Sequence, residues 1–311
     1  DYFWHVAHDT LGDECGKHFI AITDPASPVQ KYADLHGFRK VFLADPMVGG
    51  RFSALITFGL VPAALIGVDL HSYLKIARQM AEQCQPEVAP ARNPGLVLGY
   101  LMGQASLQGI DKLTILADPE NERIGSWLEQ LIAESSGKEG KGIIPIDLEP
   151  QVPTTSYSND RLFIYLRSSG SREAFVDELT AKGYPVYTLE VPSADHLGAQ
   201  FFLWEYATAI ACAMLNVNAF DQPNVQDAKT RTTQKVIEYK TRGSLPMPAA
   251  AWQSDQADVF CHEDALLVNA PSLADCLVIF KSWVNEGDFI GINAFLRRNT
   301  ENQAELQKLR A

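Results

Sequence analysis

Four short apolar runs, at 112–117, 142–148, 161–166 and 185–191, alternate with stretches whose apolar residues recur every three or four positions. Near-continuous apolar strands must be covered on both faces, and a parallel sheet flanked by helices does that. The helical stretches between and after them, at 124–134, 172–182 and 196–215, supply the cover, so residues from about 110 to 217 form one α/β unit. With right-handed crossovers, the ligand site of such a unit is expected at the carboxyl ends of its strands.

The two ends of the chain read differently. Strands at 18–23 and 40–44 precede helical stretches at 52–65, 73–84 and 95–107 with no strand between them. Two parallel strands do not make a stable sheet alone, so they read as the tail of a separate α/β domain. From Gln253 onward the periods, at 273–284 and 289–298, are mainly helical. The expected organisation is a remnant of a first domain (1–45), a second domain with connecting helices (46–243) and a mainly helical segment (244–311).

Charge narrows the partners. Lys and Arg number 26 against 38 Asp and Glu, a net charge of −12, which repels nucleic acid and anionic membrane. A negatively charged substrate then needs a few well-placed cations. The longest apolar run, 197–217, approaches the length of a membrane span, but Gln200, Glu205 and Asn216 within it argue for a buried helix. Five scattered cysteines show no metal spacing, and the Cys261–His262 neighbours have no companion ligands. They read as reduced thiols of a cytoplasmic protein with no metal centre. The first residues lack the basic and apolar regions of a signal peptide.

Four places carry candidate chemistry. In Val48-Gly49-Gly50-Arg51-Phe52-Ser53 a strand gives way to a helix, the glycines let a ligand approach the backbone, and Arg51 is placed to hold an oxyanion. The alternative is a tight turn with Arg51 in a surface ion pair. Glu134 ends a helix at Glu134-Ser135-Ser136-Gly137-Lys138, with the cations Lys138 and Lys141 close by in sequence. As a lone carboxylate it also reads as a solvated helix end. In Phe220-Asp221-Gln222-Pro223, Asp221 is a candidate cap, and Gln222 and Lys229, two helical turns apart, face one way, toward either a polar substrate or solvent. Arg167-Ser168-Ser169-Gly170-Ser171-Arg172 reads as an anion-holding turn or an ordinary capped loop. His196 opens the long apolar helix and reads as a cap or a satisfied core residue. No Ser or Cys pairs with it for nucleophilic catalysis.

Taken together, the first three segments resemble phosphoglucose isomerase. The 48–53 segment is similar to that family's first signature, 134–138 to its catalytic Glu-Ser segment, and 220–229 to its C-terminal signature. The text around Trp127, 140–145 and 220–226 resembles a branch in which the isomerase is fused behind a transaldolase. The resemblance covers about 17–235 and implies two sugar-isomerase (SIS) domains, each a three-layer, flavodoxin-like five-stranded parallel sheet flanked by helices. Residues 1–45 then become the end of the first SIS domain.

The reaction implied by the resemblance is an aldose–ketose isomerisation of glucose 6-phosphate and fructose 6-phosphate. Glu134 is implied as the base, Arg51 as the cation stabilising the enediolate, and Lys229 as the group assisting ring opening. Gln222, Gly49 and Gly50 are implied as substrate contacts. No cofactor or metal is implied; the partners are a phosphorylated hexose and a second copy in a homodimer. The family's Ser/Thr-rich phosphate loop and catalytic histidine have no match here, so the chain by itself is expected to be inactive. His196 with Gln200 imitates the histidine's spacing, but its surroundings match the buried helix. Two alternatives stay open: a non-catalytic SIS-fold sugar-phosphate binder, and an isomerase that also accepts mannose 6-phosphate.

Overall fold

The computed structural model describes residues 2–261, 270–285 and 287–310. They fall into two units, one of Asp1–Asp221 with Arg310–Ala311 and the other of Gln222–Leu309. The division lies ahead of residues 222–243, which the sequence pattern alone joins to the preceding domain.

In the first unit, α1 (Tyr2–Leu11) leads to β1 (Ile20–Thr23), α2 (Pro28–Leu35) and β2 (Lys40–Leu43). Ser27 caps α2 by accepting from the Gln30 N–H, with Pro28 in the first turn. β1 and β2 pair in parallel, Ile20 opposite Lys40, as a two-stranded sheet of their own. The helix expected at 52–65 is broken. A 3-10 turn, Gly50–Phe52, is closed by the Ser53 hydroxyl donating to the Gly50 carbonyl at 2.6 Å, and α3 (Thr57–Leu65) begins only afterwards. A serine bonded to its own backbone competes with helix propagation. α4 (Leu70–Gln83) starts at Asp69, whose carboxylate accepts from the His71 and Ser72 amides. α5 (Pro94–Leu107) starts at Asn93, which accepts from the Leu96 amide.

The main sheet contains β3 (Lys112–Ala117), β4 (Ile144–Ile146), β5 (Arg161–Arg167) and β6 (Val186–Glu190), all parallel in the order β4-β3-β5-β6. Among the described residues it has four strands where the resemblance implies five. The connections carry α6 (Gly125–Ser136) and α7 (Glu173–Ala181), and α8 (Leu197–Met214) follows β6. β3 is buried at all six positions, as a central strand must be. β4 is shorter than its apolar run because it forms the edge, where Pro145 has no N–H to offer a further strand.

Two cores make the three layers. Leu98, Met102, Leu128, Leu131, Ile132, Leu203 and Trp204 from α5, α6 and α8 pack on one face of the sheet with Leu113, Ile115 and Ile164. Phe175, Val176 and Leu179 of α7 pack on the other with Leu116, Phe163 and Tyr165. α5 and α8 approach so closely that a Cβ on Gly99 would stand 2.6 Å from the Ala207 carbonyl oxygen. The run at 197–217 is apolar because α8 is wedged among α4, α5 and α6. No helix among the described residues is long and apolar enough to cross a membrane. All five cysteines are free, and His262 lies outside the described residues.

In the second unit, α9 (Pro223–Arg242) ends at Gly243, whose φ of 74° is the left-handed cap glycine favours. β7 (Trp252–Gln253) pairs antiparallel with β8 (Asp258–Val259), so this segment is less helical than expected. α10 (Leu273–Lys281) is capped by Ser272, and α11 (Thr300–Arg310), whose last residue Arg310 is counted with the first unit, follows Asn299, whose side chain accepts from the Asn302 amide. The helix expected at 289–298 does not form. Its apolar residues, Phe295 above all, stay exposed, and a short segment that buries no face cannot offset helix nucleation.

Candidate active site

Arg51 sits in the 3-10 turn after β2, and its carbonyl accepts from Trp127 Nε1 at 3.1 Å, which ties the turn to α6. Its guanidinium is buried, the residue being 2% exposed, and four of its five N–H groups are engaged. Nε donates to Ser135 Oγ at 2.7 Å and Nη1 to Glu134 Oε1 at 3.0 Å. Nη2 donates to the carbonyls of Ala219 at 2.5 Å and Asp221 at 3.1 Å. The Phe52 ring lies 5.3 Å below the guanidinium carbon and packs against Phe220. Arg51 is therefore a buried cation joining three segments, and the surface ion pair is excluded.

Glu134 stands in the last turn of α6 with its side chain 25% exposed. Oε2 accepts from Gln130 Nε2 at 3.2 Å, one helical turn back. A carboxylate open to solvent on one side and fixed by a guanidinium on the other can exchange a proton with a bound molecule while the cation steadies developing negative charge. The pair lies at the amino edge of the main sheet, not at the expected carboxyl ends. α6 runs from the carboxyl end of β3 back to the amino end of β4, so its last turn arrives at that edge.

In sequence Lys138 is only a charge near Glu134; the structure gives it another role. Its side chain is 6% exposed; Nζ donates to the carbonyls of Asn218 and Asp221, the latter at 2.9 Å, and pairs with the Asp221 carboxylate at 2.6 Å. Asp221 therefore does not cap α9: Gln222 takes that position, with no side-chain cap bond. Arg51 and Lys138 share the Asp221 carbonyl and together grip 218–221. Both also pull the Cys212 thiol down, but burial wins and pushes it up to about 11. Lys141 donates to the Leu215 carbonyl at the end of α8, where a cation complements the helix dipole.

Gly49 precedes the Arg51 turn in extended backbone, and a Cβ on Gly50 would meet nothing within 4 Å, so that side of the turn is open. Gln222, half-buried, and Lys229, exposed, belong to the second unit on and beside α9.

The 168–171 turn does hold an anion, but an internal one. Buried Asp118 accepts from the Ser168 and Gly170 amides at 2.8 Å, Ser171 Oγ at 2.7 Å and Tyr165 OH at 2.8 Å. Burial pushes its carboxyl up, yet these four bonds together hold it well below the usual carboxylate range. His196 is the N-cap residue of α8, with Nδ1 2.9 Å from Ser193 Oγ. Among the described residues no group of three His, Cys, Asp or Glu is arranged to hold a metal.

Sheet and layers together define a three-layer parallel α/β protein. Two solved structures share the architecture. A hypothetical protein from Thermus thermophilus has a TM-score of 0.65 at 23% identity, covering 76% of this chain and 66% of its own. A glucose-6-phosphate isomerase from Chlamydia trachomatis has a TM-score of 0.59 at 18% identity, covering 78% of this chain and 56% of its own. At these identities the likeness shows the fold. In sequence, the chain is 30% identical to the glucose-6-phosphate isomerase of Heliobacterium modesticaldum over 270 residues, 70% of this chain and 58% of that protein. It is 30% identical to that of Parabacteroides distasonis over 269 residues, 71% of this chain and 59% of that protein. The resemblance to phosphoglucose isomerases read from three motifs thus extends over most of the chain, which spans somewhat under 60% of the length of these relatives. No protein-family model matches it.

Proposed function

We propose that the chain supplies the proton-transfer centre of an aldose–ketose isomerase that interconverts glucose 6-phosphate and fructose 6-phosphate. The observation that carries this reading is the Glu134 carboxylate, partly open to solvent, 3.0 Å from the buried guanidinium of Arg51. The motif order and the names of the curated relatives support it.

Glu134 takes the C2 proton of the opened aldose. The electrons of that C–H bond form a C1=C2 double bond, and the charge passes to O1. Return of the proton to C1, with the hydroxyl hydrogen moving from O2 to O1, leaves the ketone at C2; neither oxidant nor reductant enters. Arg51, already fixed by four hydrogen bonds, meets the enediolate charge without reorganising. From the resemblance, Lys229 handles the ring oxygen during opening, Gln222 orients the sugar, and Gly49 and Gly50 border the substrate. The same reading carries a homodimer in the cytoplasm.

A dehydrogenase-coupled assay tests it, on this chain and on one extended at both ends with flanking segments like those of the relatives, together with uptake of deuterium at C2 from D2O. Glu134→Gln is expected to lower turnover and exchange by about 10³-fold with sugar-phosphate binding retained. Turnover indifferent to Glu134→Gln refutes the assignment. Binding with no turnover in any unmutated form marks the non-catalytic binder, and mannose 6-phosphate as a second substrate tests the dual isomerase.

A further inference from the structure

A charged pocket of about 320 Å³ forms where the 149–157 loop meets the start of β5. Its walls include Glu149, Ser156, Tyr157, Arg161 and Arg310, all within the first unit, and it shares none of them with the Arg51–Glu134 pair.

Arg161 is the informative residue. Nη1 donates to Glu149 Oε2 at 2.6 Å and to Thr114 Oγ1 at 3.0 Å. The guanidinium carbon lies 5.0 Å over the Tyr157 ring. On the other edge, Nε is buried with no hydrogen-bond partner among the described residues, and none of them offers an acceptor to Nη2. That Nε–Nη2 edge is the fork through which arginine takes a carboxylate or phosphate side-on with two parallel N–H bonds. Leaving a buried donor unmet costs free energy, so an empty fork needs a reason.

The surroundings are rigid. Tyr157 is held by Phe163 and Tyr184, and Pro150 and Pro153 stiffen the wall. Arg310 spends Nη1 on the Asp147 carbonyl at 2.8 Å and keeps the rest of its guanidinium for the pocket. Two guanidiniums and the Glu149 carboxylate line the pocket, and the Asp147 carboxylate lies close enough to Arg310 to feel its charge.

We infer that this pocket binds a small oxyanion, a phosphate monoester or a carboxylate, side-on to Arg161 with Arg310 as the second cation. ¹H–¹⁵N NMR of the arginine Nε resonances, titrated separately with inorganic phosphate and with acetate, tests the inference. Saturable shifts are expected at Arg161 Nε and at the Ser156 and Tyr157 amides, with Kd of about 1 mM or tighter. The tighter of the two probes assigns the ligand class. Arg161→Lys keeps the charge but loses the fork, and should weaken binding about tenfold or more. Arg310→Ala, at an exposed position, should weaken it several-fold and decides the matter if Arg161→Lys does not fold. Arg51→Gln should leave it unchanged. Absence of saturable shifts up to about 20 mM of either probe overturns the inference, as does binding lost with Arg51→Gln and kept in Arg161→Lys.

Discussion

Replacing Arg51 by Met and Glu134 by Gln, singly and together, measures how strongly the two groups feel each other. With Nη1 and Oε1 3.0 Å apart, the charge centres lie roughly 4 Å apart, and an effective dielectric of about 20 gives an attraction of about 4 kcal/mol. The remaining exposure of Glu134, 25%, admits some screening. The expected coupling in the cycle is therefore about 2–4 kcal/mol. Arg51→Met alone should cost about 3–5 kcal/mol, because the carbonyls of Ala219 and Asp221 lose their donor as well. For a unit of this size that lowers Tm by roughly 10 °C. Glu134→Gln alone should cost less, since the amide oxygen still accepts from Nη1. Urea denaturation followed by circular dichroism supplies the four stabilities, and Arg78–Glu82 serves as reference. That pair is 3.7 Å apart with side chains 83% and 61% exposed, and should couple by under about 0.5 kcal/mol. A coupling below about 1 kcal/mol for Arg51–Glu134 would mean that the two do not form a desolvated pair, and the case for a shared proton-transfer centre would go with it.

Burial pushes Glu205 up to about 8 from 4.5, so stability is full below pH 4.5 and falls as pH rises toward 8. Between pH 5 and 8 the wild type should lose about 3–4 kcal/mol that Glu205→Gln does not; urea titrations at both pH values check this, and equal losses in the two proteins count against it. Asp118 shows the opposite sign: its contribution is present above pH 3.8 and fades as pH falls below. Asp118→Ala should therefore cost about 3 kcal/mol at pH 7, a deficit that narrows below about pH 4 in melting curves. Lys138→Met strands the Asp221 carboxylate and two carbonyls, and should lower stability by about 3 kcal/mol in urea, with Lys138→Arg partly restoring it.

Local pattern reveals the layers but not the long-range partners. The 112–117 run is β3 residue for residue, and Gln200 and Glu205 correctly mark the long apolar stretch as an interior helix. Such signals come from burial of a whole face, which repeats along the chain. The break at Ser53 and the missing helix at 289–298 turn on single hydroxyls and absent neighbours, which periodicity does not register. The site shows the same limit. Arg51 and Glu134 stand out by residue type and motif, yet they are 83 positions apart, and nothing local says that they touch. Asp118 is invisible to local pattern because an acid after a strand reads as a cap. Its donors include Ser168, 50 residues further on. Lys138 looks in sequence like a partner of the neighbouring Glu134 because Asp221, which it grips, is 83 residues away.

The reach of the Arg51 guanidinium also sets a clock. Its last acceptor, the Asp221 carbonyl, comes 170 residues later in the chain. A ribosome adding about 5–20 residues per second needs roughly 10–30 s to cover that distance. Throughout that interval the arginine is exposed on a nascent polypeptide with its anchoring carbonyls still unmade. The charged pair in its final setting thus belongs only to chains translated past residue 221, and ribosomes stalled short of that point should carry a guanidinium still bathed in water.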